Sequence, residues 1–138
     1  MIDRSSKRHG RLLLVAAVAI LCSIITLFVL ESQRELKAKE TGTQLRQLSY
    51  YAMEVSETQP CDISCLKRVL AEHGRDEILI DSWGNPILFE LKSRDGQVVY
   101  HFRSFGSDGK KGRCCDKFVD SYAEDAVIEN GEWLQIWR

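Results

Sequence analysis

A chain of 138 residues, 44% hydrophobic and 28% charged, has room for one small domain plus one membrane segment. Its formal net charge of -1 excludes the strongly basic face that nucleic-acid binding uses to displace counterions. The charge is unevenly placed. Arg4, Lys7, Arg8 and Arg11 crowd the first residues, and Leu12 to Leu30 carry no ionisable group except the Cys22 thiol. At roughly 1.5 Å per residue that run matches a bilayer core, so 1–11 reads as a basic cytoplasmic segment and 12–30 as a transmembrane helix. Basic residues before it and Glu31 after it put the N-terminus in the cytoplasm and the remainder on the far side. A cleavable signal needs a small-residue site after the run, which Phe28-Val29-Leu30-Glu31-Ser32 does not offer. A buried core helix is disfavoured because no other part of the chain is large enough to cover it on all sides.

Residues 31–56 read as a continuation of the same helix: there is no Pro, and Gly42 is the only Gly. Leu45, Leu48, Ala52 and Val55 fall on one helical face, on which the chain's own globular domain, 57–138, is expected to pack. Glu57-Thr58-Gln59-Pro60 ends the helix near Ser56. A short second helix is predicted from an Asp62 N-cap through Leu66, Val69 and Leu70 to a stop at Gly74. The period then changes. Pro86 to Leu91 and Val98 to Phe102 are β-rich runs around an Asp95-Gly96 turn, and Ala126 to Ile128 and Trp133 to Trp137 flank Glu129-Asn130-Gly131. The expected fold class is α+β: a long N-terminal helix packed on a small antiparallel sheet.

Two motifs are distinctive. Asp81-Ser82-Trp83-Gly84-Asn85-Pro86 is a turn in which Gly84 and Asn85 tolerate unusual backbone angles, Pro86 fixes the exit and Trp83 anchors into the core. Ser104-Phe105-Gly106-Ser107-Asp108-Gly109-Lys110 follows about twenty residues later. Together they resemble the W-G-N-P turn and S-x-G-x-D-G calcium loop of the major (G-type) pseudopilins of type II secretion. The likeness covers about Leu79 to Asp120, and the order of elements extends it to a pilin-like architecture. The N-terminus departs from that family. Met1 to Gly10 resembles a prepilin leader, but Arg11 stands where Phe is usual and Val15 where the family has the Glu that pairs with a neighbour's amine.

The resemblance implies calcium as cofactor. Ca²⁺ takes six to eight oxygens, mixing carboxylates with carbonyls. Carried over, the ligands are the Asp108 carboxylate, the carbonyls of Phe105 and Ser107, and a downstream carboxylate pair, Asp116 and Asp120, spaced more widely than the family's pair. Lys110 and Arg113 exclude an EF-hand. Cys61, Cys65, Cys114 and Cys115 all lie beyond the membrane run, where thiols are oxidised. Vicinal cysteines make an awkward bridge, so two bridges from Cys61 and Cys65 to Cys114 and Cys115 are favoured, with Cys61–Cys65 as the competing local option. No Ser/His/Asp or Cys/His arrangement, phosphate loop or carboxylate cleft is recognisable, so no enzyme is expected. The resemblance implies instead a membrane-anchored, exported component of a secretion or related envelope assembly. The resemblance places it in a bacterial inner membrane with its C-terminal domain in the periplasm. The partners expected are other pseudopilins or secretion-system membrane proteins, with no nucleic acid and no small-molecule substrate expected. The alternative is a stand-alone membrane-anchored adaptor using the same domain, which Arg11 and Val15 favour.

Overall fold

The computed structural model describes residues 4–56, 61–115 and 117–137. It contains two compact units, Met1–Glu35 and Leu36–Arg138. One helix, α1 (Arg4–Val55), contributes to both. The Glu57–Pro60 breaker lies outside the described residues, as does Asp116.

In the first unit every side chain from Leu13 to Leu30 is exposed, including Leu21, Ile24 and Phe28, and the helix is long and apolar enough to cross a membrane. The two hydroxyls between Leu13 and Leu30 need no water. Ser23 Oγ donates to the Ala19 carbonyl at 2.9 Å and Thr26 Oγ1 to the Cys22 carbonyl at 2.8 Å. Each hydroxyl is thereby satisfied within the helix, the condition that hydrocarbon imposes.

In the second unit the predicted stripe is the seam. Leu45, Leu48 and Ala52 are fully buried and join a core with Leu66, Leu70, Tyr100, Phe102 and Ile128. Two small polar residues share that face, each with a partner in the rest of the unit. Thr41 Oγ1 accepts the Ser82 N–H at 3.0 Å, and Ser49 Oγ accepts the Gly131 N–H at 2.7 Å.

Helix α2 (Ile63–Glu72) starts and stops on side-chain and backbone signals legible in the sequence. Asp62 Oδ1 accepts the Cys65 N–H at 2.8 Å. At the other end Gly74, with φ of 63°, donates to the Ala71 carbonyl at 3.0 Å while the Arg75 N–H reaches the Leu70 carbonyl at 2.8 Å. That pair of bonds is a Schellman cap, which favours a left-handed glycine. A 3-10 turn, Asp76–Leu79, follows.

The sheet comprises β1 (Leu88–Arg94), β2 (Gln97–Ser104), β3 (Phe118–Val119), β4 (Ala126–Glu129) and β5 (Glu132–Trp137), in the order β1-β2-β4-β5-β3. Both hairpins turn on two residues with positive φ: Asp95 at 54° with Gly96 at 79°, and Asn130 at 47° with Gly131 at 82°. Such turns match the right-handed twist of their strands. The sheet is mixed, not wholly antiparallel as expected, because β3 pairs parallel to β5 with Phe118 opposite Ile136. A strand of two residues shows no alternation in sequence, so β3 was invisible to a period-based reading.

Alternation on β2 sorts its residues between two faces. Tyr100 and Phe102 face the helices, where Phe89 lies 4.9 Å from Phe102, ring centroid to centroid. Val99, His101 and Arg103 occupy the other face and are also buried. Here His101 Nδ1 lies 3.0 Å from both Glu129 Oε2 and Lys92 Nζ, and Arg94 pairs with Glu129 at 3.0 Å. The odd face of β2 is therefore polar and ion-paired, and it leads at its C-terminal end to Arg103.

Candidate functional site

Asp81 organises the first motif. Its carboxylate is buried, with Oδ1 accepting the N–H groups of Trp83 at 3.1 Å and Asn85 at 2.8 Å. Oδ2 accepts the Ser104 hydroxyl at 2.7 Å. The turn closes on itself through Asp81 N–H to the Asn85 carbonyl, 2.8 Å, and Gly84 N–H to the Asp81 carbonyl, 2.9 Å. Gly84 supplies the left-handed residue, with φ of 88°. Trp83 packs edge-on to Trp137 with centroids 4.8 Å apart.

Asn85 works differently from the expectation. It is absent from the positive-φ residues, and its contribution is its amide, whose nitrogen donates to the Gly106 carbonyl at 2.9 Å. Its Oδ1 also sits where a Cβ on Gly109 would come within 2.8 Å. Ser104 Oγ, besides donating to Asp81, accepts the Gly106 N–H at 3.3 Å. The Asp81–Pro86 turn and the Ser104–Lys110 loop are thus one hydrogen-bonded unit, although twenty-one positions separate Asn85 from Gly106.

The second motif bends through a 3-10 turn, Gly106–Asp108, with Phe105 before it and Gly109 left-handed after it. The Ser107 N–H donates to the Tyr122 carbonyl at 2.6 Å, which docks the loop on its own downstream end. Asp108 is exposed, and its Oδ1 accepts the Lys110 N–H at 2.8 Å. Asp120 is exposed too. It lines a surface hollow of about 400 Å³ with Arg113, Val119, Ser121, Glu124 and Gln135. Among the described residues no three carboxylate, imidazole or thiolate side chains converge.

The group at the centre of the loop is one that sequence reasoning passed over. Asp125 is fully buried, and its Oδ2 accepts from Arg103 Nε in a short contact. Arg103 Nη2 donates to the Gly112 carbonyl at 2.6 Å, while the Gly112 N–H lies 3.0 and 3.1 Å from the two Asp125 carboxylate oxygens. Gln135 Nε2 donates to the Asp125 carbonyl at 2.8 Å and reaches the Arg113 carbonyl at 3.3 Å. Trp137 Nε1 donates to the Glu124 carbonyl at 2.7 Å. The available signal was the alternation itself, which puts Arg103 on the buried odd face of β2.

The cysteines pair locally, which corrects the favoured cross-linked arrangement. Cys61 bridges to Cys65, with Cα atoms 5.4 Å apart. One turn around the N-cap of α2 already supplies the usual disulfide span. Cys114 bridges to Cys115, whose shared peptide is cis with Cα atoms 3.1 Å apart. Neither bridge ties α2 to the 105–125 loop, so that loop depends on its hydrogen bonds and its ion pair. Cys22 is a free thiol in the apolar helix. His73 is exposed at the end of α2, its Nδ1 2.8 Å from the Val69 carbonyl.

Compared with protein-family models, with curated proteins and with solved structures, the chain has no match in any of the three.

Proposed function

We propose that this chain is a non-enzymatic, pseudopilin-like component of a type II secretion or related envelope assembly. Its apolar helix anchors it in a bacterial inner membrane, with the Leu36–Arg138 unit exported to the periplasm. The observation that carries this reading is the joint between the two motifs. Asp81 accepts from Asn85 and Ser104, and Asn85 and Ser104 each bond Gly106, so residues of the very segments that resemble the pseudopilins fix the turn to the loop. Two arguments add support: an exposed apolar stretch whose two hydroxyls are satisfied within the helix, and the Cys61–Cys65 disulfide, a bond that persists in an oxidising compartment. Partners on this reading are other pseudopilins or membrane proteins of the secretion apparatus.

The orientation follows from the basic cluster Arg4, Lys7, Arg8 and Arg11. A reporter active only outside the cytoplasm, fused after Arg138, is expected to be active; activity confined to a cytoplasmic reporter would reverse the topology and remove the case for export.

The adaptor reading is favoured by Arg11 where the family has Phe and by Val15 in place of an intramembrane carboxylate, which leaves an exposed apolar side chain and no registration charge. A photo-crosslinking residue in place of the exposed Ile20 separates the two. Expressed beside a type II secretion machine, the chain is expected to crosslink to pilin-like subunits. Adducts confined to unrelated membrane proteins would favour the adaptor, and filaments containing only this chain would show that apolar packing suffices without the carboxylate.

A further inference from the structure

The 105–125 loop is the segment for which the resemblance implies a divalent cation, yet among the described residues the carboxylate it buries, Asp125, is not one of the implied ligands, and Asp108 and Asp120 are exposed. Asp108 spends its described bond on the Lys110 N–H at the exposed surface. Among the described residues of the loop the one fully buried carboxylate, Asp125, faces a guanidinium and the Gly112 N–H. The Gly106 carbonyl is taken by Asn85 and the Gly112 carbonyl by Arg103.

We propose that the Arg103 guanidinium is the loop's resident cation, clamping the Asp125 carboxylate to the Gly112 carbonyl so that the loop closes without calcium. A divalent ion closes a loop by drawing a carboxylate and backbone carbonyls from distant positions onto one positive centre. Arg103 makes the same pair of contacts with two arms of a rigid fork, Nε to Asp125 and Nη2 to Gly112. Both members are shielded, with the Arg103 side chain 8% and Asp125 0% exposed. At that burial a lost partner leaves an uncompensated charge away from water. The clamp rides on β2, whose pairing with β1 and β4 fixes the position of Arg103 opposite Leu88 and Val127. The cation is therefore delivered by the sheet and is always present, whereas a metal's occupancy follows its concentration. This inference stands apart from the secretion reading, because it concerns how the loop is closed and not what the chain assembles with.

Hydrogen exchange of the full chain in detergent, with calcium chloride or with chelator, provides the test. In the unmutated chain, amides of 106–125 are expected to exchange at the same rates in both conditions; calcium-dependent protection there would overturn the proposal. Arg103→Gln is expected to speed exchange across 106–125 by about a hundredfold or more, while Leu45 to Ala52 and α2 keep their protection. Unchanged loop exchange in that variant would also overturn it. Should Arg103→Gln expose the whole unit, a double variant with Asp125→Asn removes the stranded charge and is expected to regain core protection. A double variant no better protected than the single one would show that the ion pair is not what closes the loop.

Discussion

Replacing Gly106 with alanine is expected to destabilise the Leu36–Arg138 unit by about 3 kcal/mol or more, among the larger effects a single substitution produces. Two costs add. With φ of 67°, Gly106 occupies the left-handed region, where a side chain costs about 1–2 kcal/mol. A Cβ there would also lie 2.6 Å from the Tyr122 carbonyl oxygen and press closer still on that of Glu124. Neither carbonyl is free to retreat, since Tyr122 accepts from the Ser107 N–H at 2.6 Å and Glu124 from the Trp137 indole at 2.7 Å. Gly84 supplies the comparison: its φ is 88°, but nothing lies within 4 Å of its added Cβ, so alanine there meets the backbone cost alone. Denaturant titration of the full chain in detergent, followed by tryptophan fluorescence, reads both. A Gly106→Ala midpoint no lower than that of Gly84→Ala would mean the loop can open at that point without loss.

The contrast between those two glycines also marks where sequence stops being legible. Local signals were readable because each needs only its neighbours: the Asp62 N-cap, the Gly74 stop, the Asp95-Gly96 and Asn130-Gly131 turns, and the Leu45, Leu48, Ala52 stripe. Both strand pairs joined by those turns follow from β-rich runs flanking turn signals. What was not readable requires knowing which distant segments meet. Asn85 was assigned to backbone tolerance, yet its amide spans to Gly106, a partner no local pattern names. The resemblance directs attention to Asp108, Asp116 and Asp120 and away from Asp125, whose importance comes from Arg103 on another strand. Cysteine pairing failed for the opposite reason. A long-range tie was favoured where two local ones form.

The second large effect is expected at Asp81, and it tests the joint on which the functional reading rests. Asp81→Ala leaves three donors without their acceptor: the N–H groups of Trp83 and Asn85 and the hydroxyl of Ser104. An unsatisfied buried donor costs about 1–3 kcal/mol. Ser104 is fully buried while Trp83 is half-buried, so water can relieve the turn N–H groups more readily than the hydroxyl. A total of about 3 kcal/mol follows. Asp81→Asn keeps an acceptor for the two N–H groups and turns its amide toward Ser104, whose oxygen can accept, so its cost is expected near 1 kcal/mol. The near-ultraviolet signal of the Trp83–Trp137 edge contact should fade in Asp81→Ala and persist in Asp81→Asn. Ser104→Ala in each background completes the cycle: the Asp81→Ala and Ser104→Ala costs should fall short of additive, because both remove one shared bond. Additive costs, or an Asp81→Asn variant as unstable as Asp81→Ala, would show that the carboxylate acts by charge alone, and the turn and the loop would then have to be treated as separate elements.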